Sequence, residues 1–343
     1  MGGGIELTHR CNLGCIHCYN RKKAGDRAAR DAEMSYDTIC RIVDQAAEMG
    51  CFSLYLTGGE PLLRRDFLDI YGYVISKGIL TVLFTNATLI TPRIADHLAE
   101  YPPLFVDISL YGRTKDVYES ITGVPGSFER CMRGIELLAE RGLPFNLKTP
   151  AMIQNKGELE SLAEFAKSLD SDFRFDVLLH PRLHDRDNRY APYDYSLPLE
   201  ERAELEFVDP ERVEAWQAYR ERAKTLTPQN TVYRCGAGMY GFFVDANGRL
   251  GMCVLSREPS YDLTQGTFQE GWAALTSVRG RERHEEENGH GCGDCEITAF
   301  CPQCAARSQL EYGPGVSTRR VDWICELTHL RMRKLKMLKG AKG

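Results

Sequence analysis

The sequence predicts an α/β fold, a partial (β/α)6 barrel followed by a small cysteine-rich C-terminal domain. Three observations carry that prediction. Through residues 1–180, short apolar runs alternate with amphipathic segments of helical period, the order that gives a parallel sheet with right-handed crossovers. The residues richest in chemistry fall directly after the runs, at the strand ends where barrels of this kind keep their sites. The thirteen cysteines gather unevenly, three within Cys11–Cys18 and seven between Cys235 and Cys325.

The first run, GIELT, is a strand that opens onto Cys11, Cys15 and Cys18. SYDTICRIVDQAAEMG follows as a helix, with Ser35 as N-cap and Gly50 as its stop. FSLYLTGGE is strand then loop, RDFLDIYGYVISKG a helix, and LTVLFTN a strand. TPRIADHLAEY is a helix capped by Thr91, with Pro92 in its first turn. LFVDISLYG, PFNLKTP and FRFDVLLHP are the remaining strands, with the helices SFERCMRGIELLAERG and KGELESLAEFAKSLD between them. These units close partway into an open, TIM-like barrel over 1–180. Residues 181–230 form a linker: a polar, Pro/Tyr-rich loop, then a bridging helix with Asp209 as cap and Pro210 at its first position. Residues 231–343 are the cysteine-rich domain. There GFFVDANGRLGMC reads as a hairpin turning at Ala-Asn-Gly, and HLRMRKLKMLKGAKG as a basic, solvated last helix and tail. Gly2–Gly4 read as a scar ahead of a first strand that starts near Ile5.

Composition narrows the function. The 343 residues are 43% hydrophobic and 27% charged, with a formal charge of −5, so no basic field argues for nucleic acid. No apolar run has the length of a membrane span, and no secretory signal opens the chain. The expected location is the cytoplasm, where so many cysteines point to metal ligation rather than disulfides. Cys40, Cys51 and Cys131, outside both groups, read as small buried side chains.

Two motifs carry the chemistry of the barrel. CNLGCIHC places three thiols, Cys11, Cys15 and Cys18, on one tight loop. Three thiolates hold a four-iron cube with one iron left open; with His17 or His9 as a fourth ligand they would equally hold zinc. TGGEP, Thr57 to Pro61, follows the next strand. Its paired glycines allow close backbone approach, and Glu60 is an acceptor for an ammonium group. Together, at successive strand ends, the motifs imply a metal cluster beside an amine-bearing ligand.

In these residues the sequence resembles the radical S-adenosylmethionine (radical SAM) superfamily. The resemblance implies a [4Fe–4S] cluster on Cys11, Cys15 and Cys18 whose open iron chelates SAM. It further implies reductive cleavage of SAM to a 5′-deoxyadenosyl radical that takes a hydrogen atom from substrate. By position, His17 is the aromatic residue before the third cysteine, Gly58, Gly59, Glu60 and Pro61 serve the methionine amine, Asn86 and Ser109 the ribose or carboxylate, and Lys148 the carboxylate. Two positions depart from the family pattern: Ala87 stands where glycine is usual and Tyr111 where aspartate is common.

The last third carries a second pattern, with paired Cys292-x2-Cys295 and Cys301-x2-Cys304 between outlying Cys235, Cys253 and Cys325. The two pairs alone would make a zinc ribbon. The full set resembles the SPASM extension of radical SAM enzymes, which implies two auxiliary [4Fe–4S] clusters, three in all. Cys292, Cys295, Cys301 and Cys325 would complete the outer one. Cys235, Cys253 and Cys304 would hold the inner one and leave an iron for another ligand.

Family members of this type mostly modify peptides or proteins. The implied function is hydrogen abstraction from a ribosomally made precursor peptide, leading to a thioether or carbon–carbon crosslink or to epimerisation. A separate leader-binding protein is expected to present that peptide, because the first strand starts too early for a built-in leader-binding domain. A flavodoxin- or ferredoxin-like reductant is implied as well. One alternative is oxidation of a sulfatase in the manner of the anaerobic maturases. Those enzymes carry Asp where Val254 stands, so Asp245 or Asp262 would have to serve as base. From another class come an iron–sulfur electron carrier and a zinc-structured scaffold. His180, Arg182 and His184 are candidate residues at the barrel mouth.

Overall fold

The computed structural model describes residues 1–20, 22–183, 185, 187–223, 232–233, 235–256, 258–279, 292, 295–313 and 319–340. They form two compact units, one of Met1–Tyr195 with Gly236–Thr276, the other of Ser196–Cys235 with Ser277–Gly343.

The first unit is built on a nine-stranded sheet. Six parallel strands run across it in chain order: β1 (Gly2–Glu6), β2 (Ser53–Thr57), β3 (Leu80–Thr85), β4 (Phe105–Ser109), β5 (Phe145–Pro150) and β6 (Asp172–Asp176). This is the expected α/β partial barrel. Alternation sorts the side chains. Leu54, Leu56, Leu83, Val106, Ile108 and Leu147 point one way and are almost wholly buried, each stabilising the fold by about 1.5–3 kcal/mol. Tyr55, Phe84, Asp107, Lys148 and Arg174 alternate with them and point the other way.

The helices fall between the strands as their caps predict: α1 (Arg27–Asp31), α2 (Tyr36–Glu48), α3 (Phe67–Ser76), α4 (Pro92–Glu100), α5 (Lys115–Thr122), α6 (Ser127–Ala139) and α7 (Leu159–Ser168). Ser35 Oγ accepts from the Thr38 amide at 3.2 Å, and Thr91 Oγ1 accepts from Ile94 at 3.3 Å, each satisfying an orphan donor of the first turn. Helix α5 was not expected from the pattern; Thr114 precedes it and Gly123, at φ +65°, ends it.

Three expectations are corrected. Gly2–Gly4 are not a scar: they are β1 itself, paired with Ser53–Tyr55 on one side and with Gly241–Phe243 on the other. A Cβ at Gly3 would lie 2.5 Å from the Phe242 ring, and one at Gly4 2.1 Å from the Tyr55 ring, so only glycine lets the strand pass between them. The hairpin at Ala-Asn-Gly is present as β7 (Gly241–Val244) and β8 (Arg249–Gly251), followed by β9 (Tyr261–Asp262). Its first strand extends the barrel sheet by pairing in parallel with β1. The loop expected before the bridging helix contains α8 (Leu199–Leu205), which buries Arg202 and Ala203. The third correction concerns the basic end. In the second unit, α9 (Pro210–Ala223), α10 (Phe268–Arg279, which begins in the first unit), α11 (Ala305–Tyr312) and α12 (Asp322–Gly340) follow. Helix α12 is not solvated all round: it buries Leu327, Met332 and Leu335, while the side chains of 338–340 and the tail 341–343 lie outside the described residues. Its Arg331 is ion-paired with buried Glu206.

Candidate active site

The cysteine loop is held in place by its own backbone. It leaves β1, and Gly14 N donates to Thr122 O (2.8 Å) while Ile16 N donates to Ile121 O (3.0 Å), which fastens it to the end of α5. Cys18 N closes a tight turn on Cys15 O at 3.1 Å. The second motif is laced directly to this loop. Gly59 N donates to Thr8 O (2.7 Å) and Glu60 N to Arg10 O (2.9 Å). A Cβ at Gly58 would meet Thr8 O at 2.6 Å, and one at Gly59 would meet Arg10 O at 2.3 Å. The glycine pair therefore lets TGGEP press against the strand that feeds the cysteines, a role the sequence alone assigned to ligand approach.

Glu60 is fully buried. Its carboxylate accepts from the amides of Leu62 (3.1 Å) and Asn86 (2.8 Å) and from Thr85 Oγ1 (2.8 Å). Burial raises its pKa to about 7, against the pull of those donors. Pro61 begins a single 3-10 turn beyond it. Asn86 closes the third side of the site: its Nδ2 donates to Asn12 Oδ1 (3.0 Å) and reaches Cys11 Sγ at 3.7 Å, and its Oδ1 accepts from Thr88. The departure at Ala87 has a geometric meaning, since its φ is +60°, the left-handed region that favours glycine. Asn12 and Thr88 were not foreseen; they are polar neighbours that only the folded loop brings together.

The thiols themselves feel one another. Burial, then the charge of Glu60, pushes Cys11 up to about 12; burial and the two neighbouring thiols push Cys15 well above its usual range. Among the described residues, no three His, Cys, Asp or Glu side chains are placed to hold a single metal ion. His17 is kept neutral, its pKa lowered to about 4 by burial, and its ring meets Tyr111 edge-on at 4.8 Å. Tyr111 entered the sequence analysis only as a departure from the family pattern. Burial, then the charge of Cys15, pushes its hydroxyl well above the usual range, so the second departure from the family pattern lies against the cysteine loop. Lys148 pairs with buried Asp107 at 2.6 Å and lies 3.5 Å above the Phe84 ring; burial lowers its pKa, against the raising effect of Asp107.

Other expected residues scatter. Arg182 is buried and bonds Asp185 at 3.1 Å; His184 lies outside the described residues. Asp245 is spent on the hairpin turn, accepting from the amides of Asn247 (2.9 Å) and Arg249 (3.0 Å). Asp262 accepts from Thr264 N at 2.9 Å. Neither is a free base for the sulfatase-type alternative. Cys40, Cys51 and Cys131 are buried, as expected.

In the second unit, Cys292, Cys295, Cys301 and Cys325 line one cavity of about 30 Å³, together with Arg320 and His329. Arg320 is fixed by Asp322 at 2.8 Å. Cys235 and Cys304 belong to the same unit, whereas Cys253 belongs to the first.

Comparison with known proteins settles the family. The profile of the Radical SAM superfamily matches residues 5–166, the span that contains both motifs. This barrel span is a radical SAM superfamily domain. Membership brings with it a [4Fe–4S] cluster and SAM. Among relatives of this radical SAM protein, the AdoMet-dependent heme synthase of Methanosarcina barkeri is 29% identical over 324 residues, 90% of this chain and 92% of that one. Mycofactocin maturase MftC of Mycobacterium tuberculosis is 28% identical over 313 residues, 84% of this chain and 74% of that one. The crystal structure of Streptococcus suis SuiB bound to S-adenosylmethionine matches with a TM-score of 0.70 at 19% identity, covering 95% of this chain and 77% of SuiB. SuiB bound to its precursor peptide SuiA matches similarly, with a TM-score of 0.71 at 18% identity over 94% of this chain and 75% of SuiB. No described helix is long and apolar enough to cross a membrane.

Proposed function

We propose that this radical SAM enzyme abstracts a hydrogen atom from a ribosomally made precursor peptide, crosslinking or epimerising it. The observation that carries the radical chemistry is the lacing of TGGEP to the cysteine loop, through the Gly59 and Glu60 amides on Thr8 and Arg10, with Asn86 against Cys11. Cys11, Cys15 and Cys18 would hold the cluster. His17, Gly58, Gly59, Glu60, Pro61, Asn86, Ser109 and Lys148 would surround SAM. When bound, cluster and SAM supply a 5′-deoxyadenosyl radical after one-electron reduction. The chain's own residues hold the loop, seat the ligand and keep the barrel face shielded. Asp107 would orient Lys148 toward the SAM carboxylate.

Two auxiliary clusters complete the reading. Cys292, Cys295, Cys301 and Cys325 would hold the outer one, supported by the single cavity they line; Cys235, Cys253 and Cys304 would hold the inner one. The domain plan of 1–180, 181–230 and 231–343 goes with this assignment, as do a flavodoxin- or ferredoxin-like reductant, a separate leader-presenting protein and a cytoplasmic setting. The relation to MftC supports a peptide substrate.

A second reading is favoured by a specific observation: the match to AdoMet-dependent heme synthase runs over 92% of that enzyme, more than the 74% of MftC. On that reading the substrate is a tetrapyrrole. One anaerobic experiment tests both. The reconstituted protein, expected to carry about twelve irons, is reduced with SAM present and assayed for 5′-deoxyadenosine. It is then supplied with the small peptide encoded beside its gene or with an iron porphyrin bearing propionates. A peptide mass change, or deuterium uptake without one, supports the first reading; loss of carboxyl mass from the porphyrin supports the second. Absence of 5′-deoxyadenosine defeats both.

A further inference from the structure

On the inner side of the sheet, one buried carboxylate holds two cations. Asp107, on β4, is fully buried. Its Oδ2 takes Lys148 Nζ from β5 at 2.6 Å and also the Arg174 guanidinium from β6. Register places Ser109, Lys148 and Arg174 in one row across the three strands. Strand β6 is the edge of the sheet, so Arg174 reaches across β5, a span of about 9–10 Å between strand axes, to reach its partner. Asp172 and Asp176 flank Arg174 on its own strand, yet the ion pair is made with Asp107 instead. An arginine with no task beyond solvation would pair along the edge or extend into water. This one is aimed inward by an acid that no water need reach.

The pairing leaves capacity to spare. Both cations share a single oxygen of Asp107, and its Oδ1 has no hydrogen-bond partner among the described residues. The Arg174 side chain is 57% exposed, and only one of its terminal nitrogens is engaged. The fork that would grip a second carboxylate in bidentate fashion is free. Beside it lies an apolar floor: Tyr55 and Phe84 are stacked at 5.1 Å, and Lys148 covers the Phe84 ring at 3.5 Å.

We infer that Arg174 is the seat for a carboxylate of the substrate, with Asp107 aiming it and the Tyr55–Phe84 stack contacting the apolar or planar part next to that acid. Lys148, on the same anchor, remains with the cofactor. This rests on the radical SAM reading for the position of the barrel cavity, and it names an acidic substrate. The carboxylate has two sources, a propionate of a tetrapyrrole or an acidic group of a peptide.

The test uses cluster-loaded, SAM-bound protein and two probe pairs: coproporphyrin III against its tetramethyl ester, and a random-sequence peptide pool with one glutamate against the same pool with glutamine. The wild type is expected to bind the acid member of one pair about tenfold tighter or more, the worth of a charged hydrogen bond, and the responding pair identifies the source. Arg174→Gln, with its melting midpoint checked, should erase the preference. Arg174→Lys, which keeps the charge but loses the fork, should weaken the acid member several-fold and leave the ester or amide unchanged. No acid preference in either pair, or a preference that survives both substitutions, overturns the inference. Binding is read without turnover, so a failure of 5′-deoxyadenosine production counts against the radical reading alone.

Discussion

The two cysteine sites of this protein are built by opposite means. The Cys11–Cys18 loop is tied to α5 through Gly14 and Ile16, to TGGEP through Thr8 and Arg10, and to β3 through Asn86. Its shape is dictated by backbone that a regular sheet has already ordered. Among the described residues, the site lined by Cys292, Cys295, Cys301 and Cys325 has around it a 3-10 turn, Thr298–Phe300, and the start of α12. A site that must leave one coordination position open needs walls that hold without the metal, whereas a site that closes on its metal can borrow order from it.

The largest expected effect separates the two sites. Cys15→Ser should bring reductive SAM cleavage to background. Cys301→Ser should lower bound iron by about four per chain yet leave 5′-deoxyadenosine formation without substrate in place. Iron analysis and chromatographic assay read the pair, and SAM cleavage lost equally in both variants would erase the distinction. Next comes Gly59→Ala, which forces a Cβ to within 2.3 Å of Arg10 O and should cost about 2–3 kcal/mol of stability while loosening the cysteine loop. Denaturant unfolding measures it, and a wild-type midpoint would show that the lacing is not tight. The smallest effect belongs to Ala87→Gly. Relief of the φ of +60° and loss of a buried methyl oppose each other, so its stability should stay within about 1 kcal/mol of wild type.

The barrel was legible because its strands and helices are local patterns. Ser35 and Thr91 cap the helices that their positions announce, and TGGEP and CNLGCIHC stand where strands end. What escaped needed long-range geometry. Nothing in GGG marks a strand, because a run without side chains has no periodicity; its meaning comes from Phe242 and Tyr55, far away in the chain. Tyr111 was read as a mere departure until the fold set its ring against His17 of the cysteine loop. Asp107, hidden inside an apolar run, showed no sign of the two cations it gathers. The basic C-terminal helix looked solvated because its lysines and arginines mask the buried Leu327 and Leu335 between them.

The placement of β1 bears on how the chain acquires its shape. Its neighbour β2 follows within about fifty residues, but its other neighbour is β7, where Gly2 meets Gly241. During synthesis this edge of β1 therefore waits, with unpaired amides and carbonyls along a strand whose first three residues have no side chains to shield them, until the hairpin emerges. Such an edge is a template for wrong partners, and sequence-distant pairing is slow. The late hairpin is thus a clasp for the nascent protein: the sheet gains its partner on this side of β1 only when a strand from beyond residue 240 arrives.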